Sequence, residues 1–147
     1  MTAGLTVVLG IPGVTAALDQ KSKQIMAAVA IGVNRGAEIA RTDIIAKLQK
    51  GGRSGREYKR GGVTHIASKP GEPPATDLGQ LVKSIRVVSG KPSTLVTAKV
   101  VARAPYAMAL EYGTKNLEPR PFMQPNDKVV QLIARALYDA VEKAVLE

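Results

Sequence analysis

The sequence has few of the residue types on which catalytic and metal chemistry usually depend. It contains no cysteine and a single histidine, His65. This excludes disulfides, thiolate ligands and a cysteine nucleophile, and leaves a zinc site without a second imidazole. The aromatic residues are four tyrosines and one phenylalanine, so stacking platforms for single-stranded bases are not expected. We therefore predict an aliphatic core, with neither a metal nor a cofactor.

The chain also lacks a long apolar segment. Its longest apolar run covers nine residues, 25–33, and is flanked by Lys21, Lys23 and Arg35, whereas a transmembrane helix needs about 20 apolar residues. The opening residues MTAGLTVVLG have no basic region ahead of an apolar stretch, so they do not have the layout of a secretory signal. We expect a soluble protein that is made and used inside a cell, without a membrane partner.

Length and charge limit the number of domains and the kinds of partner that the sequence predicts. At 147 residues the chain is predicted to form a single domain, residues 1–147, around one core. Its 21 basic and 12 acidic side chains give a net charge of +9, which favours contact with an anionic partner. That partner is either nucleic acid or an acidic protein.

The pattern of apolar residues predicts an α+β fold. A long helix is expected from about Thr15 to Lys50 and an amphipathic helix at 126–146, because apolar or small residues recur three or four apart. Packed with a small antiparallel sheet, these helices give the predicted architecture. The shorter expected elements are a strand at 5–9, a helix capped by Thr76 or Asp77 and ending near Ile85, a hairpin of strands 85–89 and 94–102, and a short helix that follows Pro105 and stops at Gly113.

Small residues form a stripe along the long helix, at Ala28, Gly32, Gly36 and Ala40. Each helix-interior glycine costs about 1 kcal/mol relative to alanine, so a close approach of another backbone is expected to offset the cost. Packing against the protein's own sheet is the preferred interpretation, ahead of a contact between subunits.

A long Gly/Pro-rich basic loop or hairpin arm is predicted at 51–76, which contains six glycines and three prolines. Residues 50–69 hold six basic side chains and one acid, Glu57, so the positive charge is concentrated here. A solvated loop is one interpretation of such a segment, and an arm held by a partner or a neighbouring subunit is the other. The basic residues are Lys50, Arg53, Arg56, Lys59, Arg60 and Lys69.

The sequence gives no residue basis for an enzyme. The run VVSGKPST is not a phosphate-binding loop, because that motif needs a glycine where Ile85 stands and Ser or Thr where Pro92 stands. No nucleophile-elbow pattern surrounds a serine, so His65 is interpreted as a structural or surface histidine and not as part of a triad. The scattered acids do not have metal-ligand spacing; they include Asp77, Glu111, Glu118 and Asp127.

A dense cluster of distinctive residues, Glu111 to Gly113 and Arg120 to Phe122, has two interpretations that the sequence leaves open. In the first, Tyr112 and Phe122 anchor the core, Gly113 ends a helix at positive φ, and Arg120 pairs with Glu111. In the second, the extended segment and its aromatic residues are presented to another subunit, because tyrosine and arginine are enriched at interface hot spots.

Two stretches of the sequence resemble a known family. APYAMALEYGTKNLEPRPFMQP and SKPGEPPATDLGQLVKSI are similar to the signatures of the neck, or tail-completion, proteins of long-tailed bacteriophages. The similarity covers most of residues 15–147 and is weakest at the strand 5–9. The matching positions are Pro70, Gly71, Glu72, Pro73, Pro74, Asp77, Gly79, Leu81, Tyr106, Glu111, Tyr112, Gly113, Thr114, Arg120, Pro121 and Phe122.

The resemblance implies a structural, non-enzymatic virion protein at the head-to-tail joint. Such proteins form homo-oligomeric rings, commonly six-fold, between head-closure or connector proteins and the tail terminator or tail tube, and DNA passes through the lumen without specific binding. The implied location is the virion neck, and the host cytoplasm during assembly. The source would be a phage, a prophage or a phage-derived particle.

The residues that we expect at interfaces follow from the basic arm and the distinctive cluster. Our hypothesis is that the arm meets an acidic face of the next subunit or of an adjoining ring. The alternative function is a basic nucleic-acid-binding module whose arm, residues 50–69, contacts phosphate. The interface candidates are Arg53, Arg56, Tyr58, Lys59, Arg60, Glu111, Tyr112, Arg120 and Phe122.

Overall fold

The fold is α+β, as the sequence predicts, with a long N-terminal helix, a C-terminal helix and small antiparallel strands. A computed structural model describes residues 3–9, 20–90 and 95–146. The elements in chain order are β1 (Ala3–Leu9), α1 (Gln20–Lys50), β2 (Glu57–Arg60), β3 (Val63–Ile66), α2 (Gln80–Ser84), β4 (Ile85–Ser89), β5 (Val96–Ala102), α3 (Ala107–Tyr112) and α4 (Asp127–Leu146).

The strands form two sheets. One has three strands in the order β1-β5-β4, and the other is the hairpin of β2 and β3. Strand β5 buries every second residue, namely Val96, Ala98, Val100 and Ala102, because successive side chains of a strand point to opposite faces. The central strand of the larger sheet therefore has one continuous apolar face.

The chain divides into two compact units that are interleaved along the sequence. The first consists of Thr42–Arg86 and Val101–Gln124 with the start of β1, and its large buried side chains are Ile44, Leu48, Leu81, Ile85, Phe122 and Met123. The second contains residues 20–41 of α1, residues 6–9, 87–89 and 96–100 of the larger sheet, and α4. Its large buried side chains are Val29, Val33, Val96, Val100, Val129 and Ile133.

The two glycines of the small-residue stripe of α1 pack inside this chain, with α4 and not the sheet as their nearest neighbour. A Cβ added at Gly32 would lie 2.9 Å from the Cα of Leu137, and one added at Gly36 would lie 2.8 Å from Cγ2 of Ile133. The expected intramolecular packing is therefore present, with a different partner. A helix brought this close to α1 needs glycine at the contact, which explains why two residues of poor helix propensity lie inside α1.

The ends of the helices agree with the predictions except at α2. Helix α1 ends at Lys50 as expected, and residues 15–19 and 94 of the predicted elements lie outside the described residues. Asn126 caps α4, with its Oδ1 accepting a 3.0 Å hydrogen bond from the Val129 N–H. Among the described helices, none combines the length and hydropathy of a membrane span.

The predicted cap of the short helix α2 is wrong. The N-cap is Gly79, at φ 70°, and it makes no side-chain cap hydrogen bond. Both expected caps are used elsewhere: the Thr76 hydroxyl donates to the Leu48 carbonyl at 2.6 Å, and Asp77 pairs with Arg60. Because both side chains bind tertiary partners, neither caps the helix, and α2 begins only at Gln80.

Gly32→Ala is expected to lower the free energy of unfolding by up to about 2 kcal/mol, although alanine is the better helix former. Overpacking costs about 1–3 kcal/mol and exceeds the propensity gain of about 1 kcal/mol, because the clash is with the Cα of Leu137. Gly36→Ala is the paired variant: its new Cβ would meet Cγ2 of Ile133, a side-chain atom, so it is expected to cost less than the backbone clash at Gly32. Urea unfolding of both variants measures the difference, and a Gly32→Ala protein more stable than the parent would contradict the packing.

Candidate functional site

The predicted arm is a short β-hairpin with a tight two-glycine turn. Strands β2 and β3 pair antiparallel from Glu57 opposite Ile66 to Arg60 opposite Val63. The turn residues Gly61 and Gly62 have φ values of 55° and 80°. Positive φ at both central positions is the requirement of the turn that matches the twist of a hairpin, so the Gly-Gly pair determines where the arm reverses.

The hairpin exposes apolar side chains along its length. Every residue of β2 and β3 is exposed except His65, which is partly buried. Tyr58 is 40% exposed, Val63 58% and Ile66 42%. An isolated two-stranded hairpin is at best marginally stable in water, and this one covers no core of its own. Its apolar residues are consequently available to a partner.

One face of the hairpin is attached to the chain that follows it. The Arg60 guanidinium pairs with the Asp77 carboxylate at 2.9 Å, and His65 Nδ1 lies 3.4 Å from the other oxygen of the same carboxylate. The Tyr58 ring stacks on His65 with centroids 5.5 Å apart. Because opposed residues of a hairpin share a face, this face orients the arm, and Arg60 is already neutralised by Asp77.

The base of the arm is closed by hydrogen bonds between its two flanking segments. The N–H groups of Gly52 and Gly55 donate to the carbonyls of Pro73 and Ala67 at 2.9 and 2.8 Å. Glu72 crosses the base as well: it accepts hydrogen bonds from the Ser54 hydroxyl at 2.5 Å and from the Lys69 N–H at 2.9 Å. These bonds join the two flanking segments, so the hairpin projects from a closed base.

The Ser54 hydrogen bond lowers the pKa of the Glu72 carboxyl, and the Lys69 N–H lowers it further. Stability from this depressed pKa is present above the ordinary value of a glutamic acid and is lost as the pH falls through the lowered value. Ser54→Ala is expected to raise the Glu72 pKa toward its ordinary value, measured by carbon NMR titration. Ser84→Ala, whose hydroxyl donates to the Leu81 carbonyl, is the control and should leave that pKa unchanged.

Exposed basic side chains of the arm remain available to a partner. Arg53, Arg56 and Lys59 are exposed and form no ion pair with the acidic side chains that the structure describes. The register places Ile66 on the same face of the hairpin as Lys59, so this face is both cationic and apolar, whereas Tyr58 and Val63 share the other face with Arg60 and His65. This combination suits an acidic protein surface with apolar residues, because phosphate contact alone does not need the apolar side chains.

The distinctive cluster near α3 is divided between core and surface. Phe122 is 1% exposed and lies in the core, and Glu111 is 5% exposed. One oxygen of Glu111 accepts hydrogen bonds from the N–H groups of Phe122 at 2.8 Å and Met123 at 3.1 Å. Of the interface candidates, Phe122 and Glu111 are thus buried within their own chain. Tyr112, at 66% exposure, is on the surface.

The Arg120–Glu111 pair expected from sequence does not form among the described ion pairs. Glu111 instead accepts hydrogen bonds from backbone N–H groups. The backbone N–H of Arg120 donates to the Leu110 carbonyl at 2.6 Å. Gly113 ends α3 at φ 77°, as predicted. The sequence did not predict that Glu111 binds backbone N–H groups. The indication available was its position as an acidic residue within the apolar run AMALEY.

The two stretches that carry the family resemblance are joined in the structure. The Gly71 N–H, from the run PGEPP, donates to the carbonyl of Pro119, from the run EPRPF, at 3.0 Å. Asp77, also in the first stretch, holds the arm through Arg60 and His65. Of the matching residues, Gly71 and Asp77 therefore lie where the arm is attached to its unit.

The described residues include no group of three or more His, Asp or Glu side chains placed to hold a metal ion. A cavity of about 270 Å³ lies between the base of the arm and α3, lined in part by Leu78, Tyr106 and Leu110. The charged groups at this cavity, Arg60 and Asp77, are paired with each other. The lining of this cavity therefore offers no unpaired charge to a ligand.

Comparison of the chain with protein-family models, curated proteins and solved structures gives no match in any of the three.

Proposed function

We propose that this protein is a non-enzymatic structural component of the neck of a long-tailed phage or phage-derived particle. It would assemble as a ring, commonly six-fold in this class, that joins head and tail around the DNA channel. Head-closure or connector proteins would contact one side of the ring, and the tail terminator or tail tube protein the other. The site of action would be the virion neck, after assembly in the host cytoplasm.

The observation that carries the proposal is the arm. A hairpin with exposed Tyr58, Val63 and Ile66 and three unpaired cations is poorly suited to an isolated monomer, because apolar surface gains free energy when it is covered. A ring subunit needs a projecting element that reaches a neighbour, and heterologous contacts pair two different surfaces. The ordered base and the Asp77 anchor support a fixed direction for that element.

The resemblance supports the same proposal through the positions that match. Phe122 and Glu111 stabilise the unit, while Gly71 and Asp77 attach the arm. Ring proteins of one family need the same stable unit and the same direction of the arm, so residues with these two roles are the ones they are expected to share.

Deletion of the coding sequence from the parent phage or prophage tests the proposed function. Electron microscopy of the lysate is expected to show filled heads and free tails that are not joined, and joined particles should return when the chain is supplied from a plasmid. Normally joined particles in the deletion lysate would overturn the proposal.

The second candidate is a nucleic-acid-binding module, favoured by the unpaired Arg53, Arg56 and Lys59. It predicts duplex binding that persists at about 150 mM salt, falls steeply as salt rises and is lost in the triple glutamine variant of those residues. The neck proposal predicts that the duplex is not retained at that salt, because a genome must slide through the ring. Fluorescence anisotropy with a labelled duplex separates the two functions.

A further inference from the structure

Helix α4 carries a second row of side chains on a side other than the one that contacts α1. Ile133 and Leu137 lie against the glycines of α1. Tyr138 and Val145, by contrast, are 65% and 51% exposed. The second row alternates steps of three and four residues along the helix, which is the spacing of a coiled-coil seam. We call it the outer seam; it consists of Gln131, Ala134, Tyr138, Val141 and Val145.

A shallow depression in the outer seam is lined by the residues with which a coiled coil receives a side chain. Its lining consists of Tyr138, Val141, Glu142, Val145 and Leu146. The first four are residues i, i+3, i+4 and i+7 of one helix, and such a set of four forms the hole for a knob of a facing helix. The exposed ring of Tyr138 is itself a knob on the same seam. A helix that carries both a knob and a hole is complementary to a second copy of itself.

We propose that α4 pairs antiparallel with α4 of a second copy through the outer seam. Tyr138 of each copy would enter the depression of the other copy and lie opposite Val141. On either side of this pair, Ala134 of one copy would lie opposite Val145 of the other. Because the same surface is used by both copies, the contact is isologous. It is separate from the heterologous contacts of a ring, so it does not rest on the proposed function.

The charges beside the outer seam favour this orientation and this register. Arg135 and Glu142 each follow a seam residue directly and are exposed. In an antiparallel pair these flanking positions face each other, so Arg135 of each copy would lie near Glu142 of the other. A shift of the register by seven residues places two arginines or two glutamates opposite each other, which is repulsive. A parallel pair directs both residues toward Leu137 and Ala144 of the second copy, which carry no charge.

Arg135 and Glu142 are only weakly engaged within their own helix. The Arg135 side chain is 80% exposed, and its Nε lies 3.8 Å from Asp139 Oδ2. The contact of Glu142 with the Tyr138 hydroxyl is 3.5 Å long. Exposed contacts of this kind contribute little free energy, so exchanging them for pairs with a second copy costs little. Helix α4 has three basic and three acidic residues, so two copies of it meet without net repulsion although the chain carries +9.

Disulfide cross-linking tests the contact and its direction, because the chain has no cysteine of its own. An Ala134→Cys protein is mixed with a Val145→Cys protein and oxidised, and each protein is also oxidised alone. The proposed register places the two mixed positions opposite each other, whereas two copies of either position are about 16 Å apart along the helix axes. The mixed disulfide is expected to form at least about tenfold faster than either self-disulfide. Faster self-disulfides, which a parallel pair would give, or equal rates would overturn the inference.

Charge reversal in the same cysteine proteins provides the second readout. Arg135→Glu in both copies is expected to slow the mixed cross-link about tenfold, and so is Glu142→Arg in both copies. Arg135→Glu in one copy with Glu142→Arg in the other restores opposite charges at both contacts, so the rate should return to within about threefold of the parent. The control is Glu118→Arg, an exposed reversal outside α4, which should leave the rate unchanged. Circular dichroism checks that each variant is folded, and a mixed reversal that does not restore the rate would overturn the inference.

Discussion

Phe122→Ala is expected to lower the free energy of unfolding by about 3–5 kcal/mol, the cost of removing a fully buried phenylalanine. Phe122 is the largest fully buried side chain described in the chain, at 1% exposure. The loss combines apolar transfer with the cavity left behind, because an aliphatic core can collapse only in part. Urea denaturation followed by circular dichroism measures it.

Tyr112→Ala is the matched control for Phe122→Ala. It removes an aromatic ring from the same cluster, but that ring is 66% exposed, so the free energy of unfolding should change by less than about 1 kcal/mol. A Phe122→Ala protein as stable as the Tyr112→Ala protein would contradict the core position of Phe122. The comparison also allows Tyr112→Ala to be used in assembly assays without a folding defect.

Glu111→Ala is expected to cost about 2–5 kcal/mol, because two buried N–H groups lose their acceptor. Each unsatisfied buried donor costs about 1–3 kcal/mol, and the Phe122 and Met123 N–H groups both bond to the same Glu111 oxygen. Glu111→Gln keeps an acceptor oxygen and should recover part of the loss. The same urea denaturation experiment applies.

The control for Glu111 is Glu118→Ala, which removes an exposed carboxylate from the same segment. Its effect should stay within about 0.5 kcal/mol. If Glu111→Ala and Glu118→Ala were equally stable, the account of Glu111 as the acceptor that holds the RPFM backbone would be wrong.

Periodicity was sufficient to predict the long elements. The end of α1 at Lys50, strand β4 at Ile85–Ser89 and nearly all of α4 follow from apolar spacing and from turn residues, which are local signals. The glycine and proline content of 51–76 likewise allowed a loop or hairpin arm to be expected there. The stripe of α1 revealed that something packs closely, but it could not identify α4 as the partner, because that depends on the path of the whole chain.

The site was harder to predict because its details depend on tertiary partners. Asp77 has the side chain of a helix cap, and only the fold places it 2.9 Å from Arg60. The residue types of Glu111 and Phe122 suit an interface as well as a core. Both are buried because the segment after Gly113 folds back and brings the Phe122 N–H to Glu111. The free cations Arg53, Arg56 and Lys59 were identifiable from sequence, whereas the pairing of Arg60 was not.

The arm and its base have different roles. The base is fixed by hydrogen bonds from Gly52, Gly55 and Ser54, which hold the backbone without involving the exposed apolar residues. The tip and strands leave Tyr58, Val63 and Ile66 uncovered. Substitutions at the base should therefore alter stability and orientation, whereas substitutions on the strands should alter association.

Cryo-electron microscopy of the neck of the assembled particle tests the central claim most directly. The account predicts density for this chain as a closed ring at the head-to-tail joint, with each arm on a neighbouring copy and the channel passing through the centre. A particle whose neck lacks this chain, or a ring whose arms contact the DNA in the lumen, would contradict it.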